Sequence, residues 1–335
     1  MAYLHDFFCL LKTLSGRKLL NFLILKSSYF YSCISGRMVH SGKPAYISVE
    51  PTTSCNLHCP ECFISQPGFD RPHGLLTKDN FKRIISQFSE SAFYLNLYFQ
   101  GEPFMNPELI DMIALAKDQG FYVVVSTNGH FLDELTVRKL ISSRLDRLIV
   151  SLDGVDAATY NAYRKNGNFD KVVSGIENII SEKKSQKVRA PFIELQFVHT
   201  RKNQHQLFEI KKFGKKTGVD KVSIKSFQLL NFNHVNEWLP DENTRYKIGT
   251  DGKVKINSKL PDRCFRLWSS CVITWDGNVV PCCFDKNADY SMGNIYRQQM
   301  SQIWKSRAYN NFREKVFTDR KNIDICCNCS EGLLK

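Results

Sequence analysis

Three cysteines stand close together in the run SCNLHCPECF, at Cys55, Cys59 and Cys62. Their CxxxCxxC spacing puts three soft ligands on one loop, and the metal they suit depends on what completes the set. With His58 they would form a Cys3His site of the kind that holds structural zinc. As three thiolates alone they would hold a 4Fe-4S cluster with one iron left open, able to bind the amine and carboxylate of a small molecule and to pass it an electron. A second group, Cys264, Cys271, Cys282, Cys283, Cys326, Cys327 and Cys329, lies near the C-terminal end. Within it, Cys264-x17-Cys282-x43-Cys326-x2-Cys329 supplies four thiolates, enough to close every iron of a second cluster or to build a zinc ribbon. Cys271, Cys283 and Cys327 are then left over, as free cysteines often are in cores. Cys326 takes precedence over its neighbour Cys327 because it completes a CxxC with Cys329.

These ligands need a frame, and the hydrophobic pattern supplies one. From Ala45 to about Gln228, short apolar runs alternate with longer amphipathic segments, which is the βα signature. Strands are predicted at 45–51, 93–99, 121–127, 147–153, 192–198 and 221–227. Thr77, Asn106 and Asp156 are the expected N-caps of helices between them, with Pro107 at the first helical position, and Gly120 and Gly218 are expected to stop two helices. Strands covered by crossover helices must run parallel, so the fold class is α/β, an open (β/α)6 partial TIM barrel whose chemistry belongs at the strand C-termini. Residues 1–43 form an amphipathic helical arm and 44–228 the barrel. The stretch 229–262, rich in Asn, Asp, Gly and Lys, reads as a linker, and 263–335 as a small cysteine-bearing domain with a hairpin in VITWDGNVVPCC.

The motifs at the strand ends bring a family into view. The cysteine triplet follows the first strand, Gln100-Gly101-Glu102-Pro103 the second, Ser126-Thr127-Asn128-Gly129 the third and Ser151-Leu152-Asp153-Gly154 the fourth. Together, from Tyr46 to Phe227, they resemble the radical S-adenosylmethionine (SAM) superfamily, in its cysteine signature, its GGEP element, its STNG turn and its S-[IL]-D-G turn. The resemblance implies a SAM-binding cluster on Cys55, Cys59 and Cys62. It also implies Glu102 as acceptor for the amino group of SAM, and Ser126, Asn128, Ser151 and Asp153 near its ribose and carboxylate. Two positions depart from the family pattern: Glu61 stands where an aromatic residue usually helps seat adenine, and Gln100 replaces the first glycine of GGEP. Phe63 or residues near Lys225 are then expected to complete the adenine pocket.

The C-terminal stretch, with WDGNVVPCC, MGNI, QIW and a final CxxC, resembles the SPASM/twitch auxiliary-cluster domains. After Cys282 the chain reads CCFDKNADY, so the CxxCxxxxxC run of the full SPASM set is missing, and one auxiliary 4Fe-4S cluster on Cys264, Cys282, Cys326 and Cys329 is the count implied.

Lys plus Arg number 46 against 33 Asp plus Glu, a formal net charge of +13. Two clusters on seven thiolates would bring it to about +10. Such a field favours anionic small molecules, acidic peptides or a membrane surface. Nothing in the chain resembles a nucleic-acid-binding motif, so no nucleic acid is expected. The apolar arm at 1–43 is broken by Lys12, Arg17, Lys18 and Lys26 and is too interrupted to span a bilayer. It is expected either to cover the barrel or to touch a membrane peripherally, in a cytoplasmic protein.

The two resemblances imply a radical SAM oxidoreductase that abstracts hydrogen from a substrate and passes the second electron to the auxiliary cluster. The expected electron donor is a flavodoxin or ferredoxin. Dehydrogenation of a carbohydrate-type substrate is favoured over modification of a ribosomal peptide because no peptide-binding segment precedes the barrel. The rival of another class is a non-catalytic, zinc-stabilised interaction protein. The ligand assignment carries a direct prediction: changing Cys326 and Cys329 to Ala is expected to lower iron from about eight to about four per chain. Iron remaining near eight would move the ligand role to Cys327 or Cys283.

Overall fold

A computed structural model describes residues 2–230, 232–242, 245–249, 253–257 and 260–329. Positions 330–335 of the expected C-terminal domain and parts of the linker fall outside the described residues.

All six expected strands form: β1 (Tyr46–Val49), β2 (Tyr94–Asn96), β3 (Tyr122–Thr127), β4 (Arg147–Ser151), β5 (Phe192–His199) and β6 (Lys221–Ser226). They pair in parallel and in chain order. Two short helices, α1 (Ala2–Leu11) and α2 (Gly16–Ser35), precede them. Between the strands run α3 (Lys78–Ser86), α4 (Leu109–Asp118), α5 (Glu134–Ser142), α6 (Ala157–Tyr163), α7 (Phe169–Ser185) and α8 (Leu207–Thr217). One side of the sheet, carrying Ile47, Leu95, Val123, Val125, Leu148 and Val150, packs with these helices into the main core. The alternate residues, among them Ser48, Asn96, Ser126 and Ser151, face the barrel interior, because successive strand side chains point to opposite faces.

Thr77 and Asp156 cap α3 and α6 as expected, accepting from Asn80 N and Thr159 N. Gly120 and Gly218 adopt positive φ after α4 and α8. Asn106 caps the turn that leads into α4, its Oδ1 accepting from Glu108 N at 2.9 Å. Its amide donates to the Pro51 and Leu76 carbonyls at 2.8 Å, a tie across the strand ends, and regular helix begins only at Leu109.

The segment expected as a linker is structured. It forms α9 (Val235–Trp238) and an antiparallel pair, β7 (Tyr246–Ile248) and β8 (Val254–Ile256). Leu229, Trp238, Leu239 and Tyr246 pack with Leu57 and Cys59 into a second core directly over the cysteine loop. The C-terminal part is likewise continuous with the barrel. After α10 (Phe265–Ser269), β9 (Ser270–Ile273) adds parallel to the free edge of β1, with Tyr46 opposite Ser270 and Val49 opposite Ile273. β10 (Asn278–Val280) and β11 (Gly293–Asn294) extend the sheet to nine strands, in the order β11-β10-β9-β1-β2-β3-β4-β5-β6. The Asp276-Gly277-Asn278 turn lies between β9 and β10 as expected. Helices α11 (Met300–Trp304), α12 (Arg307–Asp319) and α13 (Asp324–Cys327) close that end. Among the described residues no helix is long and apolar enough to cross a membrane.

The joint between barrel and C-terminal segment is polar. Glu50, fully buried after β1, pairs with both terminal nitrogens of Arg71 and accepts from Trp275 N at 3.2 Å. Removing one partner of a buried pair strands the other charge. Glu50→Ala should therefore destabilise the protein by about 3–5 kcal/mol. Denaturant unfolding measures this, and a loss under about 1 kcal/mol would show that the pair is not a structural joint.

Candidate functional site

The cysteine loop hangs from the C-terminal end of β1. Thr52 and Thr53 anchor it by donating to the Gly74 and Pro72 carbonyls, at 2.8 and 3.1 Å. Polar hydrogens are turned toward its sulfurs. Leu57 N approaches Cys55 Sγ at 3.4 Å, Asn128 Nδ2 lies 4.0 Å from the same atom, and Arg164 Nη1 lies 3.9 Å from Cys59 Sγ. Burial pushes the Cys55 thiol up to about 12 and raises Cys59, the latter against the pull of Arg164. Among the described residues no three His, Cys, Asp or Glu side chains are drawn together as a ready ion site. The fit to a thiolate-bound cluster rests on the donors: N–H groups and a guanidinium beside the sulfurs stabilise negative ligands and tune a cluster's potential. His58 is exposed and hydrogen-bonded to Asn166 at 3.0 Å, away from the thiols, so a Cys3His set is not assembled.

The turn after β2 presses against this loop. Gly101 has φ +71°, and a Cβ there would meet the Thr52 and Ser54 carbonyl oxygens at 2.5 and 2.7 Å, so only glycine fits. Glu102 N then donates to Ser54 O at 2.8 Å. The Glu102 carboxylate, 2% exposed, accepts from Thr127 Oγ1 and Asn128 N, each at 2.7 Å, and from Phe104 N at 3.2 Å. Desolvation nevertheless pushes its pKa up to about 7, against those hydrogen bonds and Arg164. Asn128 reaches the loop through Asn56 Oδ1 at 2.7 Å, and its own Oδ1 receives His130 Nδ1 at 2.9 Å.

After β4, Asp153 is fully buried. It accepts from Arg164 Nε at 2.6 Å and from Val198 N at 2.7 Å. Arg164 therefore bridges Asp153 and Cys59. Gly154 is required beside it, because a Cβ would lie 2.4 Å from Tyr160 N. Ser126 and Ser151 face the interior near the ends of β3 and β4. The structure thus gathers two hydrogen-bonded sets on the cysteine loop, Cys55–Asn128–Glu102 and Cys59–Arg164–Asp153, with the two serines on the neighbouring strand ends. Glu61 turns away from this group and holds the loop to the following segment, accepting from Leu230 N and pairing with His234 Nδ1, both at 2.6 Å. Phe63 is half-buried against Phe69, and Lys225 is exposed.

The C-terminal cysteines divide clearly. Cys264, Cys326 and Cys329 surround the buried guanidinium of Arg320, whose Nη2 lies 3.6 Å from Cys329 Sγ. Burial raises Cys282, which feels Cys264 and Cys329, and pushes Cys326 up to about 12 against Arg320. A buried cation among three of these thiols suits a group that is net negative once ligated. Cys327 is exposed and donates to the Lys321 and Ile323 carbonyls, whereas Cys271 is packed in the main core. Cys283 belongs to neither set. It accepts from Arg266 Nη1 at 3.7 Å and borders a cavity of about 450 Å³ that Ser48, Asn96, Tyr98 and Arg266 also line.

Sequence reasoning missed Glu50, Arg71, His130 and Arg164. Glu50, Arg71 and Arg164 act on residues distant in the chain, and His130 joins Asn128 to Asn168 N, so no local spacing marks them.

Comparison with known proteins agrees with this geometry. Residues 49–189 match the model of the Radical SAM superfamily, and residues 264–330 match the SPASM iron-sulfur cluster-binding domain. The chain is a radical SAM protein with a C-terminal SPASM domain. It is 26% identical over 316 residues to the tungsten-containing aldehyde ferredoxin oxidoreductase cofactor-modifying protein of Pyrococcus furiosus, spanning 85% of this chain and 87% of that protein. It is 24% identical over 301 residues to the AdoMet-dependent heme synthase of Methanosarcina barkeri, spanning 78% and 82%. Its fold resembles the crystal structure of BtrN in complex with AdoMet and 2-DOIA, with a TM-score of 0.53 and 19% identity over 87% of this chain and 93% of that one.

The position of Arg164 generates a prediction. Arg164→Gln removes a positive charge beside one thiolate, so the potential of a cluster reconstituted on Cys55, Cys59 and Cys62 should fall by about 60 mV or more, a decade for a one-electron couple. Redox titration measures it. An unchanged potential would mean that Arg164 serves only to hold Asp153.

Proposed function

We propose that this protein is a radical SAM oxidoreductase that removes hydrogen from a hydroxyl-bearing carbon of a small, carbohydrate-type substrate. Cys55, Cys59 and Cys62 would hold the SAM-binding cluster, and Cys264, Cys282, Cys326 and Cys329 the auxiliary one. When bound, the first cluster would supply the one-electron reduction of SAM that starts hydrogen abstraction, and the auxiliary cluster would supply an acceptor for the second electron as the substrate proton is lost to solvent. The residues of the chain bind and orient. Glu102 offers a carboxylate to the ammonium of SAM, with Ser126 and Asn128 near the ribose and Ser151 and Asp153 near the carboxylate.

The observation that carries this reading is the interior cavity. It starts among Ser48, Asn96 and Tyr98 on the barrel strands and ends at Arg266 and Cys283, next to the auxiliary ligand Cys282. A hydroxyl, an amide, a phenol and a guanidinium around about 450 Å³ suit a polar small molecule. Burial keeps the Tyr98 phenol protonated, so it can donate a hydrogen bond. Substrate held there would lie beside the C-terminal segment that carries Cys282, where an auxiliary acceptor is useful. The direct experiment incubates the reduced, reconstituted protein with a panel of deuterated sugars, sugar nucleotides and peptides and follows label into 5′-deoxyadenosine. Transfer from a sugar carbon with formation of a ketone supports the proposal. Transfer only from a peptide overturns the substrate class.

Glu102 supplies a further prediction with a defined pH range. The ammonium of SAM needs the ionised carboxylate, and Glu102 ionises near 7 before SAM arrives. SAM affinity should therefore rise between about pH 6 and 8, beyond any titration of SAM itself. Glu102→Gln should keep its iron, weaken SAM binding about tenfold or more, and remove that part of the slope. Equilibrium binding at three pH values tests this. Wild-type affinity in the variant would end the assignment of Glu102 to the ammonium.

A further inference from the structure

The N-terminal helices have an inner face that the fold uses and an outer face that it does not. Inside, Asp6 accepts from the Tyr122 hydroxyl and pairs with Arg147 at the starts of β3 and β4. Lys18 donates to Gly120 O at 3.0 Å, and Leu25 is fully buried against Ala45 and Phe93. Both helices are therefore fixed across the strand N-termini, the end of the barrel opposite the cysteine loop. Outside, α1 exposes Leu4, Phe7, Phe8 and Leu11 at helical spacing, and α2 exposes Leu20, Leu23, Ile24 and Ile34, the last 86% accessible. Most of the large apolar side chains exposed among the described residues lie on this one short segment. Contiguous apolar surface on a folded protein marks an interaction site.

The charges around it select the occupant. Asp6 is the one acidic residue in positions 1–43, and it is buried in its pair with Arg147. Lys12 and Arg37 are exposed on the arm itself. Beside the start of α1, Ala2 borders a depression lined by Lys184, Lys187 and Arg189 at and after the end of α7, with the Lys183–Asp220 pair in its wall. Lys215 and Lys216 are exposed at the end of α8, next to Gly218 in the same depression. An apolar face with a basic border matches an anionic bilayer surface, into which the side chains insert while lysine and arginine meet the headgroups. A second copy would bring the same basic border against itself.

We propose that the α1–α2 pair seats the protein peripherally on anionic phospholipid, with the strand N-terminal end against the bilayer and the Cys55–Cys62 loop at the opposite end. The inference is independent of the reaction proposed above.

Flotation of the full, reconstituted protein with vesicles tests it, comparing phosphatidylcholine alone with phosphatidylcholine containing phosphatidylglycerol. The wild type should float with the anionic vesicles, weakly or not at all with neutral ones, and less as salt rises. The Leu4→Gln/Phe8→Gln variant should lose binding about tenfold or more, with iron content and melting temperature unchanged. A second variant, Lys184→Gln/Lys187→Gln/Arg189→Gln, touches exposed residues only and should lose the anionic preference, which keeps the test valid if the first variant folds poorly. Wild-type protein that stays in solution at low salt overturns the proposal. If light scattering then shows a dimer that Leu4→Gln/Phe8→Gln separates, the face belongs to a second copy. Equal flotation with neutral and anionic vesicles, or wild-type flotation by both variants, also overturns it.

Discussion

The buried carboxylate of Glu50 is the point on which the two halves of the site depend. A carboxylate with no solvent contact persists only if its charge is matched and its oxygens are bonded. Arg71 matches it, and Trp275 N and the backbone of Gln100 complete its hydrogen bonds. Those partners come from three places: the far end of the cysteine loop, the turn after β2 and the C-terminal hairpin. One side chain thus fixes the position of the loop relative to the turn that presses on it, and of both relative to β9. The parallel pairing of β9 with β1 follows the same logic, because it places Trp275 where Glu50 needs a donor.

From that joint the polar contacts spread along the strand ends. Glu102 ties the β2 turn to the end of β3, Asn128 ties β3 back to the cysteine loop, and Arg164 ties Asp153 after β4 to Cys59. Each tie uses a side chain that is wholly or largely buried, so displacing one leaves an unsatisfied partner. The group is preorganised, since its carboxylates and amides are already held in place by protein donors. It is also electrically unfinished. Glu102 lies near 7 because its burial outweighs the donors around it, and a cation beside it would complete the balance.

Much of this was legible in the sequence, for physical reasons. Parallel strands covered by crossover helices are short apolar runs, so all six appeared in order. Two of the motif turns carry glycines at close backbone approaches, and at Gly101 and Gly154 no other residue would serve. What escaped depended on distance in the chain. Asn106 accepts from Glu108 N as a helix cap would, but its amide also bonds two carbonyls from other loops, which no local pattern shows. The 229–262 stretch is polar in composition, yet Leu229, Trp238 and Tyr246 are spaced to cover the cysteine loop, a pattern with no helical or strand period. Nothing local shows that β9 joins β1, or that Arg164 meets a cysteine more than a hundred positions earlier. Cys326 and Cys327 are neighbours with the same chemistry, and only the backbone of α13 turns one inward and the other to solvent.

The interior of the barrel is itself asymmetric, and the asymmetry decides where a substrate can sit. On the β4–β6 side the inward positions are filled by a charged network. Arg147 pairs with Asp6 and Glu194, and Glu194 also accepts from Ser223 and pairs with Lys221. That half is occupied by its own polar contacts and closed below by α1. On the β1–β2 side the inward residues are Tyr46, Ser48, Tyr94, Asn96 and Tyr98, and the space between them and the C-terminal segment stays open as the cavity. A bound molecule is therefore pushed toward β1, the edge to which β9 adds, and so toward Arg266 and Cys283. The same sheet extension that completes the barrel edge brings Cys271 and Cys283 of the C-terminal segment to the cavity wall.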